Sequence, residues 1–241
     1  MPLQALLRVI YPSSCIACDA SVTTDFGLCP SCWLDTPFIG GLCCDACGCG
    51  LPGQPEPNLR HLCDDCLPRP PPWDQGRAVM RYDGTAKRLV MSFKHADRLD
   101  LVRPFGTWMA RAAAPLLQKD TILAPIPLHW LRLLKRKSNQ AALLASQVAK
   151  ITGHRHIPDL LLRPRATQSL DHMSPTSRRA TLSGAFAVHP RYIKKAEGRP
   201  VLLVDDVMTT GTTLTAATHC LMAAGVSQVS VLTLCRTTRD N

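Results

Sequence analysis

Aromatic residues are scarce in this sequence: four Trp, three Tyr and five Phe among 241 residues, or 5 %. That scarcity argues against a nucleic-acid reader built mainly on stacked rings. No segment reaches the run of about 18–20 apolar residues that a membrane span requires. The first fourteen residues place Leu3, Leu6, Leu7 and Ile10 at helical spacing, but Arg8 interrupts the stretch and Pro12 ends it. An export signal needs a longer apolar core and a small-residue cleavage site. The stretch therefore reads as a short amphipathic helix packed on the body, and the chain as cytoplasmic. Acidic residues are sparse in one part only. Residues 1–72 hold three basic and seven acidic side chains, whereas the rest hold twenty-five and eleven, for a formal charge of +10 overall. A basic body attracts polyanions, either a phosphorylated metabolite or a nucleic acid. Scattered Lys and Arg also serve simply to solvate helix faces.

Cysteine is abundant and concentrated. Ten of the twelve precede residue 67, and eight form Cys-x-x-Cys pairs: Cys15/Cys18, Cys29/Cys32, Cys44/Cys47 and Cys63/Cys66. Two thiolates in one tight turn face the same ion, and two such knuckles complete a tetrahedral zinc site. The rival reading, a disulfide framework, needs an oxidising compartment. Sequential pairing gives one site from Cys15, Cys18, Cys29 and Cys32, and a second from Cys44, Cys47, Cys63 and Cys66. A cross-braced pairing is the alternative. Cys43 and Cys49 are surplus and read as free thiols, or as substitutes for a neighbouring ligand. With four thiolates each, the sites have no open position for substrate and read as structural. The segment has few large apolar residues, so zinc must hold it together.

Leu67 to Trp73 reads Leu-Pro-Arg-Pro-Pro-Pro-Trp, which favours extended polyproline geometry and marks a boundary. The expected organisation is a double zinc ribbon over 1–67, a linker over 68–75 and a larger domain over 76–241. In that domain the periodicity predicts strands at 76–82, 121–126, 200–204 and 228–234. It predicts helices at 85–96, 101–117, 139–152 and 212–224. Strands alternating with helices imply an α/β fold, with a parallel sheet covered on both faces.

The most informative stretch runs Val201-Leu202-Leu203-Val204-Asp205-Asp206-Val207-Met208-Thr209-Thr210-Gly211-Thr212-Thr213. Four apolar residues make a central strand, and two carboxylates stand at its carboxyl end, where open α/β sheets place their ligands. A glycine-centred turn rich in hydroxyls then opens a helix, whose first amides and dipole attract anions. Asp205 and Asp206 suit sugar hydroxyls, and Thr209, Thr210, Gly211, Thr212 and Thr213 suit a phosphomonoester. A ribose 5-phosphate carries both. Asp and Thr also cap helices without any ligand, but adjacent buried carboxylates repel one another, and a mere cap does not need both. The Gly-Lys-Ser/Thr of a nucleoside-triphosphate loop and the spaced glycines of a dinucleotide fold are missing here.

Residues 201–213 resemble, at every position, the phosphoribosyl-pyrophosphate signature of type I phosphoribosyltransferases. Together with the four Cys pairs and the Pro-rich linker, nearly the whole chain resembles the ComF family of late-competence proteins and their gluconate-associated relatives. The resemblance implies a type I phosphoribosyltransferase fold preceded by a double zinc ribbon. It implies that Asp205 and Asp206 bind the ribose 2′- and 3′-hydroxyls, that Thr209–Thr213 wrap the 5′-phosphate, and that Mg²⁺ sits on the pyrophosphate. Pro125-Ile126-Pro127-Leu128-His129, Arg132 and Asn139-Gln140-Ala141 look like the family's pyrophosphate-side loop and following helix. Thr167-Gln168-Ser169-Leu170, Arg178 and Gly184-Ala185-Phe186 look like its mobile loop. Lys137 and Ser138 stand where the family has Gly and an aromatic residue, and Thr181 stands where it has Asn.

Between His129 and Arg199, fourteen Lys or Arg face three acids. Pro127, His129, Arg132, Lys135 and Arg136 then read as a pyrophosphate-side basic loop, and Gln168 and Arg178 as part of a lid carrying positive charge. Such a lid equally suits a single-stranded DNA track. The resemblance implies a protein that binds 5-phosphoribosyl-1-pyrophosphate and handles single-stranded DNA during natural transformation, beside a competence helicase-like partner. The alternative is an active Mg²⁺-dependent phosphoribosyltransferase acting on an unidentified acceptor. No residue identifies a nucleophile or a base-recognition loop.

Overall fold

The computed structural model describes residues 13–56, 59–95, 98–128, 138–164 and 184–238. The expected N-terminal helix, the basic loop from His129 to Lys137 and most of the expected lid fall outside them. Helix α1 (Pro30–Asp35) lies in the cysteine-rich segment. Then follow β1 (Gln75–Arg81), α2 (Gly84–His95), α3 (Val102–Ala113), β2 (Ile122–Pro125), α4 (Gln140–Thr152) and the two-residue strands β3 (Arg155–His156), β4 (Leu161–Leu162) and β5 (Ala187–Val188). The chain continues through the single turn α5 (Ile193–Ala196), β6 (Pro200–Met208), α6 (Thr212–Ala223) and β7 (Gln228–Arg236).

Five of these strands form one sheet in the order β1-β7-β6-β2-β3, parallel throughout, while β4 and β5 pair antiparallel beside it. The central strands are apolar because both of their faces are covered. On one face Ile122, Ala124, Val201, Leu203, Val229 and Val231 pack with Leu214, Ala217 and Leu221 of α6. On the other, Leu123, Leu202, Val204 and Leu232 pack with Phe93 of α2, Phe105 of α3 and Leu144 of α4. The α4 boundary is set locally: the Asn139 side chain accepts from Ala141 N, and Gly153 ends the helix at φ 72°.

The cysteine-rich segment straddles the edge strand β1. Gly76 N donates to Asp45 O at 2.7 Å, Ile39 N to Val79 O at 2.8 Å and Arg81 N to Pro37 O at 2.9 Å. These bonds cover an edge that would otherwise be open to pairing. The approach at Gly76 is so close that a Cβ there would lie 2.3 Å from Ala46 O. Ile16, with Ala17 and Leu28 around it, joins the core under α2 and α3. Cys44, Cys47 and Cys66 join the core on the opposite face. Each half of the segment thus finishes one face of the sheet.

Candidate functional site

Strand β6 runs four residues past the point where the sequence pattern ends it, through Asp205 and Asp206 to Met208. The cause is its neighbour β7, which stays alongside, with Asp205 opposite Thr233 and Met208 opposite Arg236. On the other side β2 stops at Pro125, and Ile126 N to Val204 O, at 2.9 Å, is the bond just beyond the last paired residues. Among the described residues the two carboxylates therefore lie on a strand paired along one edge and open along the other, at the carboxyl end of a parallel sheet.

The carboxylates are held differently. Asp206 Oδ2 forms an ion pair of 3.1 Å with Lys94 Nζ of α2, and the two side chains are 13 % and 15 % exposed. Asp205 Oδ1 accepts from Asp206 N at 2.9 Å. Burial, reinforced by the neighbouring Asp206 charge, pushes the Asp205 carboxyl up to about 7; the Asp206 amide and the charges of Lys94 and Arg163 act in the opposite sense. Beneath them the Cys235 thiol is pushed up to about 12 by burial.

The turn that follows opens a helix, and the first amides and dipole of a helix attract anions. Gly211 adopts a left-handed conformation, φ 73° and ψ 2°, and caps α6. The first intrahelical bond is Thr215 N to Gly211 O at 2.8 Å. The amides ahead of it have no intrahelical partner. Thr209 and Thr210 are exposed, and Thr210 Oγ1 lies 2.7 Å from Thr212 Oγ1. Arg236, 8 % exposed, donates through Nη1 to the main-chain oxygens of Met208, Thr209 and Thr237, which pins the start of the turn. Its Nε is buried without a partner among the described residues. Across the open edge, Pro127 is half-buried just past β2. Asn139 Nδ2 donates to Ile126 O at 3.1 Å, tying the start of α4 to the end of β2. Gln140 Oε1 is buried there with no partner among the described residues.

The cysteines gather as sequential pairing requires. Cys15, Cys18, Cys29 and Cys32 form one cluster and Cys44, Cys47, Cys63 and Cys66 another, each with all sulfurs within 4.8 Å of one another. Cys18 and Cys29 Sγ are 3.6 Å apart, and Cys47 and Cys63 Sγ 3.7 Å. A disulfide is about 2.05 Å. Four Zn–S bonds of about 2.3 Å at tetrahedral angles place sulfurs about 3.8 Å apart, so the residues fit zinc. Cys29 N donates to Cys15 Sγ at 3.3 Å, the kind of amide contact that steadies a thiolate ligand. The surplus Cys49 is buried near the second cluster, and Cys43 is half-buried.

Known proteins match this layout. Residues 6–67 match the family model described as a double zinc ribbon domain, and residues 141–240 the one described as a phosphoribosyl transferase domain. The chain is similar to "DNA utilization protein YhgH" of Salmonella typhimurium, 30 % identical over 92 % of this chain and 90 % of that one. It is also similar to "Competence protein F" of Haemophilus influenzae, 28 % identical over 78 % and 84 %. "Competence protein ComFC" of Bacillus subtilis is 26 % identical over 94 % and 96 %.

The chain belongs to the ComF family.

In this ComF chain the structure brings Asp205, Asp206, Thr209, Thr210, Gly211, Thr212 and Thr213 to one strand end and turn, with Pro127 across the open edge. His129, Arg132, Lys135, Arg136, Gln168 and Arg178 lie outside the described residues. Sequence reasoning missed Lys94. Its signal was a lysine four residues after Val90 on the apolar face of α2, where a buried cation requires a buried acid. It also missed Arg236, a charged residue ending an otherwise apolar and alcoholic strand. His154 and His156 are half-buried, and the His154 ring bonds Thr152 O and Gln118 O.

Proposed function

We propose that this ComF-family chain binds 5-phosphoribosyl-1-pyrophosphate at the open edge of β6, with Mg²⁺ on the pyrophosphate, and handles single-stranded DNA in the cytoplasm during natural transformation. The observation that carries the sugar-phosphate reading is the overrun of β6 past β2. It leaves two carboxylates beside a threonine-rich helix entry, with a strand edge between them and Pro127 that no described residue pairs. Ribose hydroxyls would donate to Asp205 and Asp206. The 5′-phosphate would accept from the Thr209–Thr213 amides and hydroxyls. Mg²⁺ would supply charge neutralisation of the pyrophosphate, and the basic residues His129, Arg132, Lys135 and Arg136 would add to it. Lys94 holds Asp206 in place from α2. The DNA half of the reading rests on the names of the relatives and on the basic charge of the larger part of the chain. Among the described residues no helix is long and apolar enough to cross a membrane.

Two titrations test the two halves. Calorimetry with 5-phosphoribosyl-1-pyrophosphate and Mg²⁺ should give binding that is lost in Asp205→Asn/Asp206→Asn, with two zinc ions per chain retained. Binding retained in that variant refutes the site assignment. Single-stranded oligonucleotide should bind with a steep salt dependence, and no binding at low salt refutes the DNA role. Pyrophosphate release in the presence of candidate acceptors would instead favour the transferase reading.

A further inference from the structure

The second metal cluster and the phosphate turn are joined by one side chain. Trp73, the last residue of the Pro-rich run, is 4 % exposed and donates from Nε1 to Ala46 O at 2.6 Å. Ala46 lies between the ligand cysteines Cys44 and Cys47. The far end of the same indole meets the turn, where a Cβ at Gly211 would stand 3.0 Å from Trp73 Cη2. Neither end is free to drift. On the metal side, Asp45 O accepts from Gly76 N at 2.7 Å, and Asp45 Oδ1 pairs with Arg77 Nη2 at 2.8 Å. At the turn, Gly211 is left-handed at φ 73°, a conformation that a residue with a Cβ would hold only under strain. Below it Arg236 clamps the carbonyls of Met208 and Thr209. Cys47, Cys66, Trp73, Thr209, Thr212 and Arg236 share the walls of a cleft of about 590 Å³.

A rigid indole wedged between a metal knuckle and a ligand-binding turn transmits displacement in both directions, because packed interiors do not deform continuously. We propose that Trp73 is a positioning residue that couples the second metal cluster to the phosphate turn, so that metal at Cys44, Cys47, Cys63 and Cys66 sets the turn for its sugar phosphate. The proposal rests on the sugar-phosphate reading above. Among the described residues the first cluster has no such strut: it packs with Ala17 and Leu28, which also border the core on the opposite face of the sheet. Linkage then demands reciprocity, in that a ligand which fixes the turn must tighten the second cluster and leave the first alone.

The experiment is pulsed alkylation under a zinc chelator, with each cysteine mapped by peptide mass, on the full chain with and without saturating 5-phosphoribosyl-1-pyrophosphate and Mg²⁺. Calorimetry under the same conditions reports binding. The expected result is that ligand slows alkylation of Cys44, Cys47, Cys63 and Cys66 by about fivefold or more, the usual lower range of site coupling. Cys15, Cys18, Cys29 and Cys32 should change less than about twofold. Trp73→Phe removes the donor to Ala46 and shortens the ring. At its own saturating ligand concentration it should lose the selective protection while retaining both zinc ions. Binding with equal protection of both clusters, or with none, overturns the coupling and leaves the sugar-phosphate reading standing. Full protection surviving in Trp73→Phe overturns the role of the indole. Absence of binding by calorimetry removes the sugar-phosphate reading and the coupling with it.

Discussion

Asp205→Asn should make the protein more stable while destroying its proposed ligand site, and the gain should grow with pH. The carboxyl is moved from its usual 3.8 to about 7 by burial and by the Asp206 charge. At 1.36 kcal/mol per unit, ionised Asp205 costs the folded state about 4 kcal/mol. The sign follows from proton binding. A carboxyl whose folded pKa is raised holds its proton more tightly when folded, so its penalty is absent below the unfolded value, develops as pH rises and is complete above about 7. Between about pH 6 and about pH 8.5 the wild-type protein should lose about 1.4 kcal/mol that the variant does not lose. Asn keeps an oxygen for the Asp206 amide, so the hydrogen bond at 2.9 Å survives and the charge alone is removed. The assay is urea unfolding of both proteins, zinc-loaded, across that pH range. The thiols titrate alike in both and cancel in the difference. A variant less stable than wild type at the upper pH, or a difference that does not change with pH, refutes the argument that burial strains this carboxylate.

Lys94→Met should destabilise the protein by about 2–4 kcal/mol, because it strands the Asp206 charge in a site that is 13 % exposed. Lys94→Met/Asp206→Asn should recover most of that loss, and a double-mutant cycle by chemical denaturation measures the coupling. Asn139→Ala should cost about 1–2 kcal/mol, read as a lowered urea midpoint, since one side chain both caps α4 and ties Ile126 O.

The legible parts of this molecule were those whose chemistry is local. Cys-x-x-Cys is a property of one turn, so four pairs announced two clusters before any fold was known. Strands β2, β6 and β7 are buried on both faces and therefore read as apolar runs between polar turns. Asp-Asp and Thr-Thr-Gly-Thr-Thr belong to one short stretch, so the carboxylates and the glycine-centred turn that opens α6 are read together. The ion pair of Asp206 with Lys94 was invisible because it joins distant stretches, and periodicity says that a helix has an apolar face but not which strand that face meets. The end of β6 was misjudged for a related reason. Asp205 and Asp206 are poor strand formers taken alone, and only β7 beside them carries the ladder to Met208. The Pro-rich run reads as a spacer; nothing in its composition says that Trp73 turns inward.

The same geometry bears on whether the cysteine-rich segment is a detachable module. It has few large apolar residues of its own, and its second cluster shares a core with Val229, Val231 and Met208 of the sheet. The sheet in turn relies on it. Without residues 1–67, β1 loses the bonds to Pro37, Ile39 and Asp45 that cover its edge. Trp73, Val79 and Met80, now 4 %, 6 % and 0 % exposed, would lose cover. Burial of each such side chain is worth about 1.5–3 kcal/mol, and each lost backbone bond about 1 kcal/mol. The total approaches the 5–15 kcal/mol or so of an entire domain, and the bared edge is a template for aggregation. Residues 68–241 expressed alone should therefore be insoluble or molten, with no cooperative unfolding transition by circular dichroism. A soluble, monomeric fragment that melts cooperatively would mean that the ribbons merely decorate the sheet, and the coupling between metal and phosphate turn would lose its structural basis.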